Sequence, residues 1–347
     1  MKFKSRRKLL HLNDTIQITK NLTLKRIVNL FVLKVSYFLS RLTRKAWHVG
    51  NPFSLSIEPT TACNLGCPEC PSGLKQFTRP TGKLDLELHK RMLQQVKDHV
   101  FYINYYFQGE PFLHPQFLDL IKEAKKVKIY TATSTNAHFI TKERSKEIVK
   151  SGLDRLIISI DGLTQETYEQ YRVHGQLEKV IEGSKLLVEA KKEFKSQTPH
   201  LIFQFLAVKP NEHEIPFVFS MAKELEIDEV RIKTTQFYDF ENGNLLMPTS
   251  EKYRRYKRTR SGNYKLKGDP GNHCWRMWSG SVLTWDGKVV PCCFDKDAHH
   301  AMGTLNEKSF QEIWRSASYQ NFRQAILSNR KEIDICSNCS EGTKVWN

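Results

Sequence analysis

The sequence predicts an α/β fold in which six parallel strands alternate with helices, as a partial barrel or an open sheet. Two observations support this prediction. Between residues 53 and 234, each short β-rich segment is followed by a segment with helical periodicity, which is typical of βαβ units. Three of the eight cysteines come directly after the first predicted strand, and such folds bind ligands at the carboxyl ends of their strands.

The length suits one large α/β domain and a smaller one. Residues 1–50 form a basic amphipathic arm, and residues 51–235 form the partial barrel. Residues 236–273 are rich in Gly, Pro and charge, which indicates a linker or a substrate-facing segment. Residues 274–347 form a small unit that contains the other five cysteines.

The β-branched and apolar content of six segments predicts strands. Asp85 is a predicted N-cap, Pro115 is placed in the first turn of a helix, and Thr141 caps a helix that ends near Gly152. Two further helices are expected over 177–193 and 214–225. The predicted strands are 53–60, 102–109, 128–135, 154–160, 200–208 and 229–234.

The C-terminal unit has its own local signals. The segment "SVLTWDGKVVPCC" (281–293) predicts a β-hairpin with Asp286-Gly287 as a two-residue turn. The segment "SFQEIWRSASYQNFRQAIL" (309–327) predicts one helix, with Ser309 and Glu312 as a capping box.

The formal net charge is +17, and the first 50 residues carry twelve Lys or Arg against one Asp. Residues 24–45 place apolar side chains on one helical stripe, with basic residues away from its centre. Two interpretations stay open: the helix packs on the main domain, or it lies on anionic lipid. No nucleic-acid motif is present, so no nucleic-acid partner is expected. The stripe consists of Leu24, Ile27, Val28, Phe31, Val35, Phe38 and Leu42.

No apolar run with a cleavage site follows the basic first residues, so no signal peptide is predicted. Asn29 and Lys34 interrupt the longest apolar runs, which argues against a transmembrane helix. The expected compartment is the reducing cytoplasm, where clustered cysteines bind metal more often than they form disulfides. Peripheral contact with the inner face of the membrane through residues 24–45 stays open.

The first cysteine set, Cys63, Cys67 and Cys70, has the spacing C-x3-C-x2-C. Three thiols cannot pair evenly in disulfides, and such short loops would strain the bond. A zinc site takes four ligands, and no fourth Cys or His lies nearby in the sequence. Three thiolates without a fourth suit a cubane cluster with one open iron.

The second set consists of five cysteines, of which Cys336 and Cys339 form a C-x2-C pair. Four thiolates with such a pair fit a zinc ribbon or a fully ligated iron–sulfur cluster. Neighbours in an extended strand point to opposite faces, so Cys292 and Cys293 are not both expected to be ligands. The remaining member is Cys274.

Together these motifs resemble the radical S-adenosylmethionine (radical SAM) enzymes with a C-terminal auxiliary domain of the SPASM/twitch type. The resemblance covers about residues 52–347. It implies a partial (β/α)6 TIM-like barrel, S-adenosylmethionine and two [4Fe–4S] clusters. The first cluster is held by Cys63, Cys67 and Cys70. In single-cluster relatives a ligand lies in the "PC" step of the hairpin, which favours Cys292 over Cys293. The implied auxiliary ligands are Cys274, Cys292, Cys336 and Cys339.

The resemblance also implies contacts to SAM. The sequence "QGEP" takes the place of the Gly-Gly-Glu motif of the family, with Gln108 where the first Gly stands. The family often has an aromatic residue before the third cysteine, whereas Glu69 stands here. The implied contacts are Gly109 and Glu110 to the amino group, Ser134 and Asn136 after strand three, Ser159 and Asp161 to the carboxylate or ribose, and Arg172 to the carboxylate.

The function that the resemblance implies is reductive cleavage of SAM to a 5′-deoxyadenosyl radical, which abstracts hydrogen from a substrate. We expect a small or lipid-linked substrate, net oxidation through the auxiliary cluster, and an electron donor such as flavodoxin or ferredoxin. The alternative within the family is a peptide- or protein-modifying maturase. An alternative from another class is a non-catalytic zinc or nucleic-acid-binding protein. No catalytic residue is assigned.

Overall fold

The computed structural model describes residues 13–343. Residues 1–12 of the predicted arm and 344–347 of the predicted C-terminal unit lie outside the described residues. Six strands follow one another in chain order as parallel neighbours in one sheet, which confirms the predicted fold class. They are β1 (Ser54–Ile57), β2 (Tyr102–Asn104), β3 (Tyr130–Thr135), β4 (Arg155–Ser159), β5 (His200–Ala207) and β6 (Glu229–Thr234).

Five short strands complete the described strands, and three of them extend the same sheet to nine. The order is β11-β10-β9-β1-β2-β3-β4-β5-β6, and the two ends of the sheet do not pair with each other among the described residues. The short strands are β7 (Tyr256–Arg258), β8 (Tyr264–Leu266), β9 (Gly280–Leu283), β10 (Lys288–Val290) and β11 (Gly303–Thr304).

Helices connect the parallel strands and pack on one continuous apolar core. Residues 13–20 are also helical, and three 3₁₀ turns lie at Pro111–Leu113, Glu212–Glu214 and Arg330–Glu332. The helices are α1 (Leu24–Thr43), α2 (Pro71–Leu74), α3 (Leu86–Val96), α4 (Phe117–Lys126), α5 (Lys142–Lys150), α6 (Gln165–Glu169), α7 (Leu177–Glu193), α8 (Ile215–Glu224), α9 (Trp275–Ser279), α10 (Phe310–Trp314), α11 (Ala317–Asn329) and α12 (Asp334–Ser337).

Most predicted helix ends agree with the structure. The side chains of Asp85 and Thr141 accept the expected N-cap hydrogen bonds, and Gly152 has a positive φ just after α5. The placement of Pro115 in a first helical turn is wrong, because Gln116 is the N-cap of α4. Strand β2 is also shorter than predicted, since the chain leaves the ladder after Asn104.

The predicted hairpin at 281–293 forms, but its turn differs. Thr284 N donates to Lys288 O across 3.0 Å, so the loop has three residues rather than two. Gly287 has φ +87° and donates to Thr284 O, which is the geometry of a type I turn followed by a glycine bulge. Strand β9 pairs in parallel with β1. The C-terminal unit therefore continues the sheet of the barrel.

The segment predicted as one helix over 309–327 is two helices, α10 and α11. The capping box of Ser309 and Glu312 is present, and a second cap, Ser316, accepts from Tyr319 N and begins α11. A serine that caps a new helix competes with continuation of the previous one, because its side chain takes the place of a backbone partner.

The helix of the arm presents its apolar stripe to solvent. Helix α1 is present as predicted, but Phe31 is 68% and Phe38 is 65% exposed, whereas Asn29, Ser36 and Ser40 on the other side are buried. Helix α1 therefore packs on the main domain through its polar side, and its apolar stripe makes no part of that contact. No helix among residues 13–343 is both long and apolar enough to cross a membrane.

Arg26 holds α1 to the barrel. Its buried guanidinium donates to the carbonyl oxygens of Asn21 and Lys128, and to those of Lys97 and Val127. The last three residues follow helices α3 and α4. The polar face of α1 points inward because Arg26 provides hydrogen-bond donors for carbonyl oxygens at the ends of α3 and α4, which have no partner within their own helices.

We predict that Arg26→Met loosens α1, because it removes the donor for four carbonyl oxygens. The expected cost is about 1.5–3 kcal/mol, the worth of hydrogen bonds to a charged group. Hydrogen exchange of the α1 amides measures it. Lys25→Met is the control, because Lys25 is exposed and pairs only with Asp98 across 3.2 Å at the surface. Equal protection in both variants would contradict this role of Arg26.

Candidate active site and auxiliary cysteine centre

The first cysteine set lies on the loop between β1 and α2. Cys67 is buried, and Cys63 and Cys70 are partly buried. Gly66 N donates to Val173 O across 2.9 Å. A side chain at Gly73 would come within 2.6 Å of Cys67 N. The loop is therefore packed tightly around its central cysteine.

The "GE" pair after β2 supports the cysteine loop from below. Gly109 has φ +75°, and a Cβ there would lie 2.2 Å from Thr60 O. Only glycine fits this close approach of two backbones. Glu110 N donates to Ala62 O across 2.7 Å. The two loops are thus joined next to Cys63.

Glu110 is a buried carboxylate with three hydrogen-bond donors. Thr135 Oγ1 and Asn136 N donate across 2.8 Å each, and Phe112 N donates across 3.2 Å. Burial nevertheless raises the pKa of Glu110 to about 7, and the hydrogen bonds and Arg172 lower it only in part. The carboxyl group of Glu110 therefore changes between its neutral and ionised forms near neutral pH.

The partly buried Arg172 and the buried Asp161 form an ion pair beside Cys67. Arg172 Nε donates to Asp161 Oδ2 across 2.5 Å, and its Nη1 lies 3.6 Å from Cys67 Sγ. The other oxygen of Asp161 accepts from Leu206 N across 2.6 Å. Asp161 therefore orients Arg172, and both of its oxygens have partners.

These groups surround a cavity of about 210 Å³ at the carboxyl ends of the strands. All three cysteines line it, as do six of the seven residues that the family resemblance implies as SAM contacts. Asp161 is the exception, since it is not on the cavity wall and lies behind Arg172. The six are Gly109, Glu110, Ser134, Asn136, Ser159 and Arg172.

Sequence reasoning missed the groups at the cavity mouth. Lys296 lines the cavity, and its Nζ donates to Tyr238 Oη across 2.5 Å. Glu69 accepts from Tyr238 N across 3.0 Å and from Asn244 Nδ2 across 3.2 Å. The segment predicted as linker or substrate-facing therefore lies on the cysteine loop. No local signal marks Lys296, because the C-terminal unit brings it there from 226 residues beyond Cys70.

The buried pair of Glu58 and Arg79 locks this arrangement. Arg79 donates to both oxygens of Glu58, across 2.8 Å and 2.6 Å. Its Nε also donates to Lys296 O across 2.9 Å, and Trp285 N donates to Glu58. The strand before the cysteine loop and the C-terminal unit are thus linked through one guanidinium.

The first set fits a cubane with one open iron. All three of its cysteines line the same cavity. A cubane holds its thiolates apart, because each binds a different iron. Burial raises the pKa of Cys63 to about 11, so a metal is needed to keep this thiolate ionised at neutral pH.

The second set lies in three segments of the C-terminal unit. Cys274 precedes α9, Cys336 lies in α12, and Cys339 follows it. Cys292 and Cys293 come after the end of β10, and their thiols are close enough to interact electrostatically. The chain is no longer an extended strand there, so the alternation of strand faces does not decide which of the two is a ligand.

The choice of Cys292 as ligand stays a prediction. Cys292 is close enough to Cys274 to interact with it electrostatically. For Cys293, the neighbouring Cys292 thiol, with a further contribution from Arg276, lowers the pKa to about 6. The proximity of Cys292 to Cys274 favours Cys292 as the ligand, whereas the lower pKa of Cys293 favours Cys293.

The buried Arg330 lies against the cysteines of the auxiliary centre. Arg330 Nη2 donates to Cys339 Sγ across 3.2 Å, and Glu341 N reaches the same sulfur across 3.4 Å. Cys274 and Cys336 also act on this guanidinium, and no carboxylate pairs with it among the described residues. Neutral thiols would leave the charge of Arg330 uncompensated, whereas a four-thiolate cluster carries negative charge. The donor set therefore fits a cluster.

Comparison with known proteins agrees with this geometry. The radical SAM superfamily matches residues 57–204, and the iron–sulfur cluster-binding domain SPASM matches residues 274–340. Together the matches span more than half of the chain. The chain belongs to the radical SAM superfamily. It carries a SPASM domain, and the predicted cofactors, SAM and [4Fe–4S] clusters, follow from this membership.

Two curated relatives and one solved structure show the range of this family. The chain is 26% identical to a tungsten-containing aldehyde ferredoxin oxidoreductase cofactor-modifying protein from Pyrococcus furiosus, over 82% of this chain and 86% of that protein. It is 24% identical to a PqqA peptide cyclase from Gluconobacter oxydans, over 85% and 84%. The fold is similar to that of SuiB from Streptococcus suis, solved bound to S-adenosylmethionine (TM-score 0.60, 16% identity, 85% of this chain and 73% of that chain).

We predict that Glu110→Gln weakens SAM binding roughly tenfold or more at pH 8, since a charge-assisted hydrogen bond is worth about 1.5–3 kcal/mol. The affinity of the native protein should fall as the pH drops through 7, because the carboxylate is the form that accepts from an ammonium group. Equilibrium dialysis of cluster-loaded protein measures both effects.

The variant should show no such pH dependence below 7. Glu166→Gln, which removes an exposed carboxylate from α6, is the matched control and should bind SAM normally. A Glu110→Gln protein that binds SAM with native affinity at pH 8 would contradict the assignment.

We also predict that Arg330→Met makes the potential of the auxiliary cluster more negative, on the order of 100 mV for a charge a few ångströms from a sulfur at an effective dielectric of ~20. Anaerobic redox titration followed by electron paramagnetic resonance measures it. Arg330→Lys, which keeps the charge, should stay near the native potential. A common potential in all three proteins would show that the guanidinium does not act on the cluster.

Proposed function

We propose that this chain is a radical SAM enzyme that modifies a peptide or protein substrate. The observation that supports its chemistry is the single cavity that joins the three cysteines to Glu110 and Arg172. The cysteines would hold the SAM-cleaving cluster. Glu110 would accept from the amino group of SAM, and the guanidinium of Arg172 would face its carboxylate.

The cofactors, when bound, supply a carbon-centred radical that abstracts hydrogen, and the chain controls its surroundings. Asp161 fixes the rotamer of Arg172 through their 2.5 Å contact. Glu69 attaches the 236–245 segment to the cysteine loop. A flavodoxin or ferredoxin would deliver the electron.

A peptide substrate is supported by the comparisons and by the sheet edge. One relative is named a PqqA peptide cyclase, and SuiB has also been solved bound to its precursor peptide SuiA. Strand β6 ends the sheet, and no strand among residues 13–343 pairs with its outer edge. An extended chain can add to such an edge, and residues after β6 continue to the cavity mouth at Tyr238.

A small or lipid-linked substrate that undergoes net oxidation is the second candidate. Lys296 places an ammonium group at the cavity mouth, where it would suit a phosphate or carboxylate. The relative from Pyrococcus furiosus is named a cofactor-modifying protein. In this case the auxiliary cluster would accept the second electron from the substrate.

We predict that reduced, cluster-loaded protein releases 5′-deoxyadenosine from SAM slowly even without substrate. Cys67→Ala should lower this rate at least about 100-fold, because it removes a ligand of the cluster with the open iron. Cys339→Ala is the matched control, since it removes a cysteine of the auxiliary centre and none of the first set, and it should lower the cleavage far less. Liquid chromatography with mass spectrometry measures the product. Undiminished cleavage by Cys67→Ala would overturn the assignment.

The substrate class is tested by comparing the peptides and metabolites of a deletion strain complemented with native protein or with Cys67→Ala. A peptide whose mass changes only with the native protein supports the proposal. A phosphorylated or lipid-linked molecule that accumulates with two extra hydrogens in the Cys67→Ala strain would contradict it and support the second candidate.

A further inference from the structure

The outer face of α1 is an apolar strip that no described part of the chain covers. Eight of its side chains are 41–76% exposed. Monomeric proteins seldom expose a contiguous apolar patch of this size without a partner. The members of this strip are Leu24, Ile27, Val28, Phe31, Val35, Phe38, Leu39 and Leu42.

The strip does not result from a loosely attached helix. Asn29 exchanges two 2.9 Å hydrogen bonds with the backbone of Asn51. Ser36 and Ser40 donate to Trp47 O across 2.8 and 2.7 Å. Tyr37 reaches His273 Nδ1 across 3.1 Å. The inner face is therefore satisfied by specific polar contacts, and turning the helix over would break them.

The surroundings of the strip are strongly positive. No acidic residue occurs between Asp14 and Glu58 in the sequence. Exposed basic residues lie beside the strip and after its end, and only Lys25 among them has a carboxylate partner, the exposed Asp98, within the described part of the chain. Trp47, just past the helix, is also half exposed. The basic residues are Lys20, Lys25, Lys34, Arg41, Arg44 and Lys45.

We propose that the outer face of α1 binds the surface of an anionic lipid bilayer. The apolar strip would enter the boundary between headgroups and acyl chains, while the basic residues contact lipid phosphates. Trp47 adds the amphipathic ring that favours such a boundary. Charge argues against a second copy of this chain as the partner, because a symmetric contact would bring the two sets of basic residues together.

The proposal also fixes the orientation of the enzyme. The carbonyls that Arg26 binds, at Lys97, Val127 and Lys128, precede strands β2 and β3. Helix α1 therefore lies at the amino ends of the strands, whereas the cavity lies at their carboxyl ends. A protein resting on α1 would open its cavity toward the aqueous phase. Only this statement about the active-site cavity rests on the proposed function; the binding of α1 to lipid does not.

The test is flotation of the full-length protein with vesicles of phosphatidylcholine, with and without phosphatidylglycerol, in low and high salt. The native protein should float with the anionic vesicles and lose most of this binding in high salt. The double variant Phe31→Ser/Phe38→Ser should bind at least about tenfold more weakly. Its side chains are exposed, so its fold should survive, which the native iron content and rate of SAM cleavage would verify.

Phe217→Ser is the matched control, since Phe217 is 63% exposed on α8 and should not affect flotation. Native protein that does not float, or a double variant that floats as well as the native one, would overturn the proposal. A third outcome would also overturn it: the native protein is a dimer, the double variant is a monomer, and neither protein binds the vesicles. Because flotation needs no SAM chemistry, its failure is distinguishable from failure of the proposed function.

Discussion

Each cysteine set lies against a guanidinium that is buried, at Arg330, or partly buried, at Arg172, and such a cation is unfavourable without a negative partner. Arg172 has Asp161 as well as Cys67. Arg330 has backbone oxygens and the sulfur of Cys339. Burial raises the pKa of Cys336 to about 12, so its free thiol is neutral. A bound cluster would hold these cysteines as thiolates and supply the missing charge, which would couple folding of the C-terminal unit to metal loading.

Direct contacts also make the barrel and the C-terminal unit dependent on each other. Strand β9 pairs with β1, and Arg79 connects Glu58 to Lys296 O. The rim of the cavity is therefore built by both units, and Lys296 reaches it only because the C-terminal unit continues the sheet. A structural change in the C-terminal unit can therefore displace residues at the rim of the cavity through these contacts.

The sequence was sufficient for features that depend on local chemistry. The cysteine spacing, the alternation of strands with helices and the caps at Asp85 and Thr141 follow from residues close together in the chain. Features that depend on distant partners were not predictable. Periodicity showed that α1 has two faces, but the inward face is set by carbonyls beyond residue 96. The role of Asp161 likewise depends on Leu206 N, 45 residues away.

The topology separates three tasks along the barrel. The first cysteine set follows β1 at the carboxyl ends of the strands. Strand β10 is antiparallel to β9, which is parallel to β1, so Cys292 after β10 lies toward the amino ends. Helix α1 contacts α9 at that same end through Tyr37 and Trp275. An auxiliary cluster held there would lie away from the cavity mouth. The carboxyl ends of the strands would then stay available to the substrate, and the proposed peptide would need that space because it is too large to enter the cavity completely.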